Sequence, residues 1–207
     1  MTTDEIFTVL QRDIHSVVVA TLDEHGLPQT CVIDLMLAGK EGLYFLTARG
    51  KSLYRRLMAR PFVALSGMRG QDTLSSIAIS MRGAVKNIGR ARLEEIFQQN
   101  PYMAKIYPTP QSQEALEVFH LYCGEGEYFD LSQLPPYRQS FSFGGAQVHS
   151  GGYRICGDRC TGCQACRAAC PVGCISDGVP RKIDPARCLH CGNCMEVCPA
   201  GAVERLG

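Results

Sequence analysis

Ten of the twelve cysteines lie between Cys156 and Cys198. Residues 160–171 read Cys-x2-Cys-x2-Cys-x3-Cys-Pro, with Cys160, Cys163, Cys166, Cys170 and Pro171. Residues 188–199 repeat the pattern with Cys188, Cys191, Cys194, Cys198 and Pro199. The offset of 28 also relates Ile155 to Ile183, Gly173 to Gly201 and Ile175 to Val203, so this is an internal repeat. Spacings of two let three thiolates from one tight loop reach three irons of a cubane. In a secreted chain such cysteine density would suggest disulfides. The opening MTTDEIFTVL lacks a basic segment followed by an apolar run, so no signal peptide is expected and metal is the reading.

Zinc would use four ligands in two pairs, fewer than two runs of four provide. Residues 152–205 resemble the bacterial two-[4Fe–4S] ferredoxin domain. The resemblance implies that the fourth cysteine of each run, just before proline, ligates the other cluster. One cluster would take Cys160, Cys163, Cys166 and Cys198; the other would take Cys170, Cys188, Cys191 and Cys194. The offset pairs Cys156 with Asp184 and Cys174 with Ala202, which gives neither cysteine a ligand role. Cys174 reads as a small apolar side chain near a cluster. His190 pairs with Gly162 and reads as a loop residue. So small a domain has little core, and its clusters would act as staples.

A second group of residues could bind phosphate. The stretch Leu43-Tyr44-Phe45-Leu46-Thr47-Ala48-Arg49-Gly50-Lys51-Ser52-Leu53-Tyr54 reads as strand, loop and helix start. A helix N-terminus offers free N–H groups and the positive end of its dipole. Arg49 and Lys51 would add charge, and Thr47 and Ser52 hydrogen bonds. A solvated loop with an N-cap serine is the plainer alternative.

The surrounding elements are strand-rich. Thr2-x-x-Glu5 opens a short amphipathic helix. Strands are expected at 16–22, 29–37, 42–46, 62–66 and 76–85, with helices at 51–60 and 90–99. Asp23-Glu24-His25-Gly26 turns a first hairpin, and Gly124-Glu125-Gly126 is read as turning a last one between 118–122 and 127–130. These elements predict a small antiparallel barrel with inserted helices. There is no regular βαβ alternation and no G-x-G-x-x-G after the first strand, which disfavours a Rossmann domain. Residues 134–152, rich in Pro, Ser and Gly, read as a linker, with Phe141, Phe143 and Val148 docking part of it. His15, His25, His120 and His149 read as isolated surface or strand residues, and Cys31 and Cys123 as core thiols.

Over residues 3–133 the chain resembles the FMN-binding split barrel of the pyridoxamine 5′-phosphate oxidase-like family. The best-matching stretch is YFLTARGKSLYRRLMARPFVALS, supported by VVVATLDEHGLPQTCVIDLML and ISMRGAV. The resemblance implies FMN at the interface of a homodimer. Thr47, Ala48, Arg49, Lys51 and Ser52 would hold the phosphate and ribityl chain. Cys31, Val32 and Ile33 would sit against the isoalloxazine ring, and Arg82 would reach the ligand from another strand. The oxidase itself has a basic residue on the second strand, where this chain has Asp34, which weakens pyridoxamine phosphate as substrate.

The expected organisation is a split barrel at 1–133, a linker at 134–152 and a two-cluster ferredoxin-like α+β domain at 153–207. A net charge of +1 gives no electrostatic case for nucleic acid or a membrane surface. No run approaches the ~18 apolar residues of a membrane span, so a cytoplasmic protein is expected. FMN takes electrons singly or in pairs, and a cluster takes one at a time. Their combination predicts an iron–sulfur flavoprotein oxidoreductase served by an external electron donor or acceptor, protein or small molecule. The alternatives are a non-catalytic carrier or sensor with the barrel as dimer scaffold, and a barrel that binds haem.

Overall fold

The structure, a computed structural model, describes residues 1–148 and 151–206; His149 lies outside them. Thr2 caps the first helix, α1 (Thr3–Thr8), in a complete capping box with Glu5. One turn of π-helix, Val9–Ile14, follows and ends at His15 with φ 61°. Ile6, Phe7 and Leu10 from this segment are fully buried against the barrel.

The first hairpin joins β1 (Ser16–Leu22) to β2 (Pro28–Asp34). Its turn is fixed by the Asp23 carboxylate, which accepts from the N–H groups of His25 and Leu27, and by Gly26 at φ +80°. Next come β3 (Leu37–Gly39), β4 (Gly42–Ala48), α2 (Ser52–Ala59), β5 (Phe62–Arg69) and β6 (Ile77–Asn87). Three short helices follow: α3 (Leu93–Gln99), α4 (Met103–Ile106) and α5 (Pro110–Gln113). The barrel closes with β7 (Leu116–Asp130) and β8 (Tyr137–Phe143). The sheet runs β2-β1-β5-β6-β7-β4-β3, antiparallel throughout, with β8 also paired to β7.

The sheet curls into a half-barrel, and β7 is where it splits. Leu116–Leu121 pair with β4, whereas Gly124–Asp130 pair with β8, and β6 runs along the other edge. The register with β6 shifts between Ala84 and Val85, opposite Cys123 and Leu121. The predicted last hairpin is therefore corrected to one strand of fifteen residues. Its glycines answer close approach rather than a turn. A Cβ on Gly124 would lie 2.3 Å from the Arg82 carbonyl oxygen, and one on Gly126 2.7 Å from Phe141 Cζ.

The linker reading is corrected as well. Tyr137–Phe143 is a strand in full register with β7. Phe141 and Phe143 are buried and meet Phe7 edge to face, with centroids 6.3 and 4.9 Å away. The remaining expected strands and helices are present with bounds moved by a few residues.

The C-terminal region is ferredoxin-like. β9 (Gly152–Ile155) and β10 (Val203–Leu206) pair antiparallel and tie its ends together. Between them lie α6 (Ala165–Ala168) and α7 (Asn193–Glu196), each just after the first two cysteines of a run. A small apolar cluster of Val172, Ile175 and Val203 packs among the cysteines. No helix among the described residues is long and apolar enough to cross a membrane.

Candidate functional site

The cysteines gather round two cavities. Cys160, Cys163, Cys166 and Cys198 line one of them. Cys170, Cys188, Cys191 and Cys194 line the other, together with Cys174. Each set draws three residues from one run and one from the other, as the resemblance implies. The sets share a pattern of N–H donors to sulfur. Cys174 N–H donates to Cys170 Sγ at 3.4 Å, and its repeat mate Ala202 donates to Cys198 Sγ at 3.3 Å. His190 N–H donates to Cys188 Sγ at 3.4 Å. Backbone N–H groups of Arg181 and Gly162 hold the Cys160 thiol below its usual range. Burial pushes Cys194 up to about 11. Four cysteines in one lining, some with backbone donors to sulfur, have the donor chemistry of a thiolate-bound [4Fe–4S] cluster. Cys174 is buried with its Sγ 3.5 Å from Cys170 Sγ, and Cys156 lies outside both linings.

The phosphate-type loop has a different character. Thr47 is buried, and its Oγ1 has no hydrogen-bond partner among the described residues. Lys51 stands at the N-cap of α2, where no side chain caps the first turn. Its N-terminal N–H groups are therefore open to an anion. Ser52 Oγ accepts from Arg55 at 3.4 Å. Ala48 packs on the second apolar cluster beside β4. Arg49 forms a 3.2 Å ion pair with Glu117. Glu117 also accepts from Asn87 at 2.6 Å and from the Tyr54 hydroxyl at 2.8 Å. Asn87 leads the interactions that hold the Glu117 carboxyl below its usual range, with Tyr54 and Arg49 adding to it. An orphaned buried hydroxyl beside an uncapped helix start fits an FMN phosphate.

The residues assigned to the ring side divide. Cys31 and Ile33 turn inward onto the barrel core, while Val32 is 67 % exposed on the outer face. That face carries a cavity of about 580 Å³, within the range of cofactor sites. Val18, Thr30, Ser66, Arg82, Glu125 and Glu127 contribute to its lining. Arg82 is paired with Glu125 through Nε and Nη2, at 3.0 and 2.7 Å. The 47–52 loop does not line this cavity. Beside it, Val18, Val32, Phe62 and Met68 are exposed apolar residues of β1, β2 and β5.

Asp34 is committed elsewhere. It accepts from Ser16 Oγ at 2.6 Å and from Tyr102 Oη at 2.8 Å, and His15 Nε2 lies 3.0 Å from the same Tyr102 oxygen. Burial opposes the Asp34 charge, yet the two hydroxyls and His15 hold its carboxyl below the usual range. His15 is thus part of a network rather than isolated. His120 is buried, stacked on Tyr44, with Nε2 2.8 Å from Glu41 O.

Two contributors escape sequence reading. Glu117 sits mid-strand with nothing in its neighbours to mark it. Arg181 lines the cavity of Cys160, and the 28-residue offset, which pairs it with Tyr153, could have singled it out. The cysteine domain meets the barrel at Arg138, which pairs with Glu127 and donates to Pro185 O at 3.4 Å.

Comparison with known proteins places these features. A family model described as pyridoxamine 5′-phosphate oxidase matches residues 2–129. Models of 4Fe-4S binding domains match 157–173 and 181–204. No curated protein matches the chain. Among solved structures, a NimC/NimA family protein from Clostridium acetobutylicum is 18 % identical with a TM-score of 0.56, over 69 % of this chain and 95 % of that one. A heme binding protein from Mycobacterium smegmatis is 14 % identical with a TM-score of 0.51, over 69 % of this chain and 58 % of that one. A pyridoxamine 5′-phosphate oxidase-related, FMN binding protein from Nostoc punctiforme is 12 % identical with a TM-score of 0.47, over 66 % and 86 %. At such identities the first two likenesses are of fold.

Proposed function

From the premise that this chain belongs to the pyridoxamine 5′-phosphate oxidase family and carries 4Fe-4S binding domains, we propose that it is an iron–sulfur flavoprotein oxidoreductase. Electrons pass between an external carrier, two [4Fe–4S] clusters and FMN at the interface of a homodimer. The observation that carries this reading is the junction of the two parts. Arg138 ties Pro185 of the cysteine domain to Glu127, and Glu127 lines the outer-face cavity of the barrel. The cysteine domain and a cofactor-sized cavity of the barrel are therefore joined through one bridging side chain.

The cysteine sets given above hold one cluster each. Thr47, Arg49, Lys51, Ser52 and the open N-terminus of α2 take the FMN phosphate, with the Ala48 backbone beside the ribityl chain. Glu117 holds Arg49 in place until the phosphate competes for it. The exposed apolar face of β1, β2 and β5 becomes the dimer contact, as an unpartnered patch of that kind favours. Val32 and Arg82 then meet the ring across that contact, and Cys31 and Ile33 support Val32 from below. When bound, FMN supplies one- or two-electron chemistry and each cluster one-electron exchange. Excluding water from the ring falls to the paired faces.

Anaerobically purified protein, assayed for iron, sulfide and flavin and sized in solution, tests the reading. The expected result is a dimer with about eight iron and one FMN per chain. Full iron with no flavin uptake would leave an electron carrier or sensor and overturn the flavoenzyme. A Soret band would replace FMN by haem.

A further inference from the structure

The internal repeat makes the two cysteine sites near copies, so whatever breaks the symmetry distinguishes them. Apart from the Arg181 N–H to Cys160, the N–H donors to sulfur named above do not. Cys174 and Ala202 are related by the offset, as are His190, which donates to Cys188, and Gly162, which donates to Cys160. Arg159 and Arg187 are also offset mates but not equal: Arg159 is paired with Glu204, while Arg187 donates to Val172 O and is exposed to solvent, which screens its charge.

The difference lies at 153 and 181. Tyr153 lines the cavity of Cys170, Cys188, Cys191 and Cys194, with its hydroxyl over Gly192. Arg181, at the equivalent position, lines the cavity of Cys160, Cys163, Cys166 and Cys198. Arg181 is only 4 % exposed. Nη1 donates to Ser176 O at 2.8 Å and Nη2 to Gly162 O at 3.3 Å, both neutral acceptors. Nε is buried and has no partner among the described residues. Among the described residues, the ion pairs of this domain join Arg154 and Arg159 to Glu204 and Arg167 to Asp177, and none includes Arg181. Arg138, another buried arginine, is paired with Glu127.

A guanidinium keeps its proton. Arg181 is thus a full positive charge, shielded from water, with its Nε–H unused, in the lining that holds Cys160, Cys163, Cys166 and Cys198. Adding an electron to a cluster adds a negative charge, and nearby charge and hydrogen bonds to sulfur set its potential. In a low-dielectric interior one uncompensated cation weighs heavily.

We infer that Arg181 makes the sites unequal, so that the first electron taken up by the cysteine domain rests at the site of Cys160, Cys163, Cys166 and Cys198. The inference rests on the two-cluster reading above. The step is the transfer of one electron from one site to the other, with no bond made or broken and no proton moved. Arg181 acts on the potential without touching substrate and is a positioning residue. The site of Cys170, Cys188, Cys191 and Cys194 is then the lower-potential one, and the site of Cys160 is the reservoir.

The test is a redox titration of the whole protein followed by electron paramagnetic resonance, with iron counted on the same samples. Cysteine β-proton shifts in half-reduced wild-type protein assign the electron to a site. The expected result is at least a tenfold preference for the Cys160 set, a separation of about 59 mV for one electron. Arg181→Tyr, which restores the repeat, should abolish most of that preference, and Arg181→Lys should keep most of it. An even distribution, or a preference for the Cys188 set, in wild-type protein with about eight iron overturns the inference and leaves two clusters standing. So does an unchanged separation in iron-replete Arg181→Tyr. About four iron per chain in wild-type protein overturns the two-cluster reading and this inference with it. Should Arg181→Tyr fail to load iron, the wild-type assignment decides alone.

Discussion

The Thr47 hydroxyl is buried without a partner, an arrangement that costs about 1–3 kcal/mol in a folded chain. Thr47→Val removes the unsatisfied group and keeps the shape. The apoprotein should melt no lower than wild type, while FMN affinity, followed by flavin fluorescence, should fall roughly 5- to 30-fold, or about 1–2 kcal/mol. A variant that melts lower and binds FMN normally would assign Thr47 to the fold instead. Glu117 yields a pH prediction. Its folded carboxyl titrates below the ordinary value of 4.5, chiefly because Asn87 donates to it. A depressed carboxyl adds stability above its unfolded pKa and loses it as pH falls through the folded value. Urea midpoints should therefore drop as pH is lowered from 5 to 3. In Glu117→Gln the drop should be shallower, from a lower starting stability at pH 7.

At the scale of elements, β8 is part of the barrel core. Phe143 stacks edge to face on Phe7 at 4.9 Å and is buried. Phe143→Ala should cost about 3–5 kcal/mol of barrel stability, read as a shift of the urea midpoint; a tether would tolerate the change. The same strand marks how far the sequence was legible. The first hairpin, α1 with its capping box, and α2 before Pro61 announce themselves through local chemistry: an Asx turn, a Thr-to-Glu pair, a proline. The cysteine runs are more explicit still, because the 28-residue repeat separates ligand positions from Cys156 and Cys174. What stayed hidden is non-local. Gly124-Glu125-Gly126 has the composition of a turn, yet those glycines let β6 and Phe141 approach a continuous strand. The Pro, Ser and Gly of 134–152 hide a strand whose phenylalanines find Phe7 far away in sequence. The residue types at 47–52 suggest an anion site, but the link from Arg49 to Glu117 crosses two strands that no local pattern joins. The cavity that holds Arg82 could not be placed for the same reason.

On the scale of the whole molecule, stability is divided. The barrel has a large apolar core running from Ile6 to Phe143. The cysteine domain has only Val172, Ile175 and Val203 as buried branched apolar side chains, with half-buried Tyr153, Ile155, Ile183 and Leu189 and the thiols packed round them. Helices α6 and α7 span four residues each, too short to persist without tertiary support. The ladder of β9 and β10 joins the ends of the domain but cannot by itself order the loops between them. Among the described residues the barrel reaches this domain through the 3.4 Å hydrogen bond from Arg138 to Pro185 O, worth about 1 kcal/mol in net terms. The energy that orders 153–206 must therefore come from metal–thiolate bonds, which exist only in the folded arrangement. Anaerobic removal of iron should make this segment sensitive to protease and broaden its NMR signals, while the barrel keeps its cooperative melt. Reconstitution with iron and sulfide should restore protection. Arg138→Ala should leave the iron content unchanged and increase amide exchange at 185–190 in the holoprotein, since it loosens docking without touching a thiol. Protease resistance of the apoprotein equal to that of the holoprotein would show that the domain holds its fold through packing alone, and the clusters would lose their role as its staples.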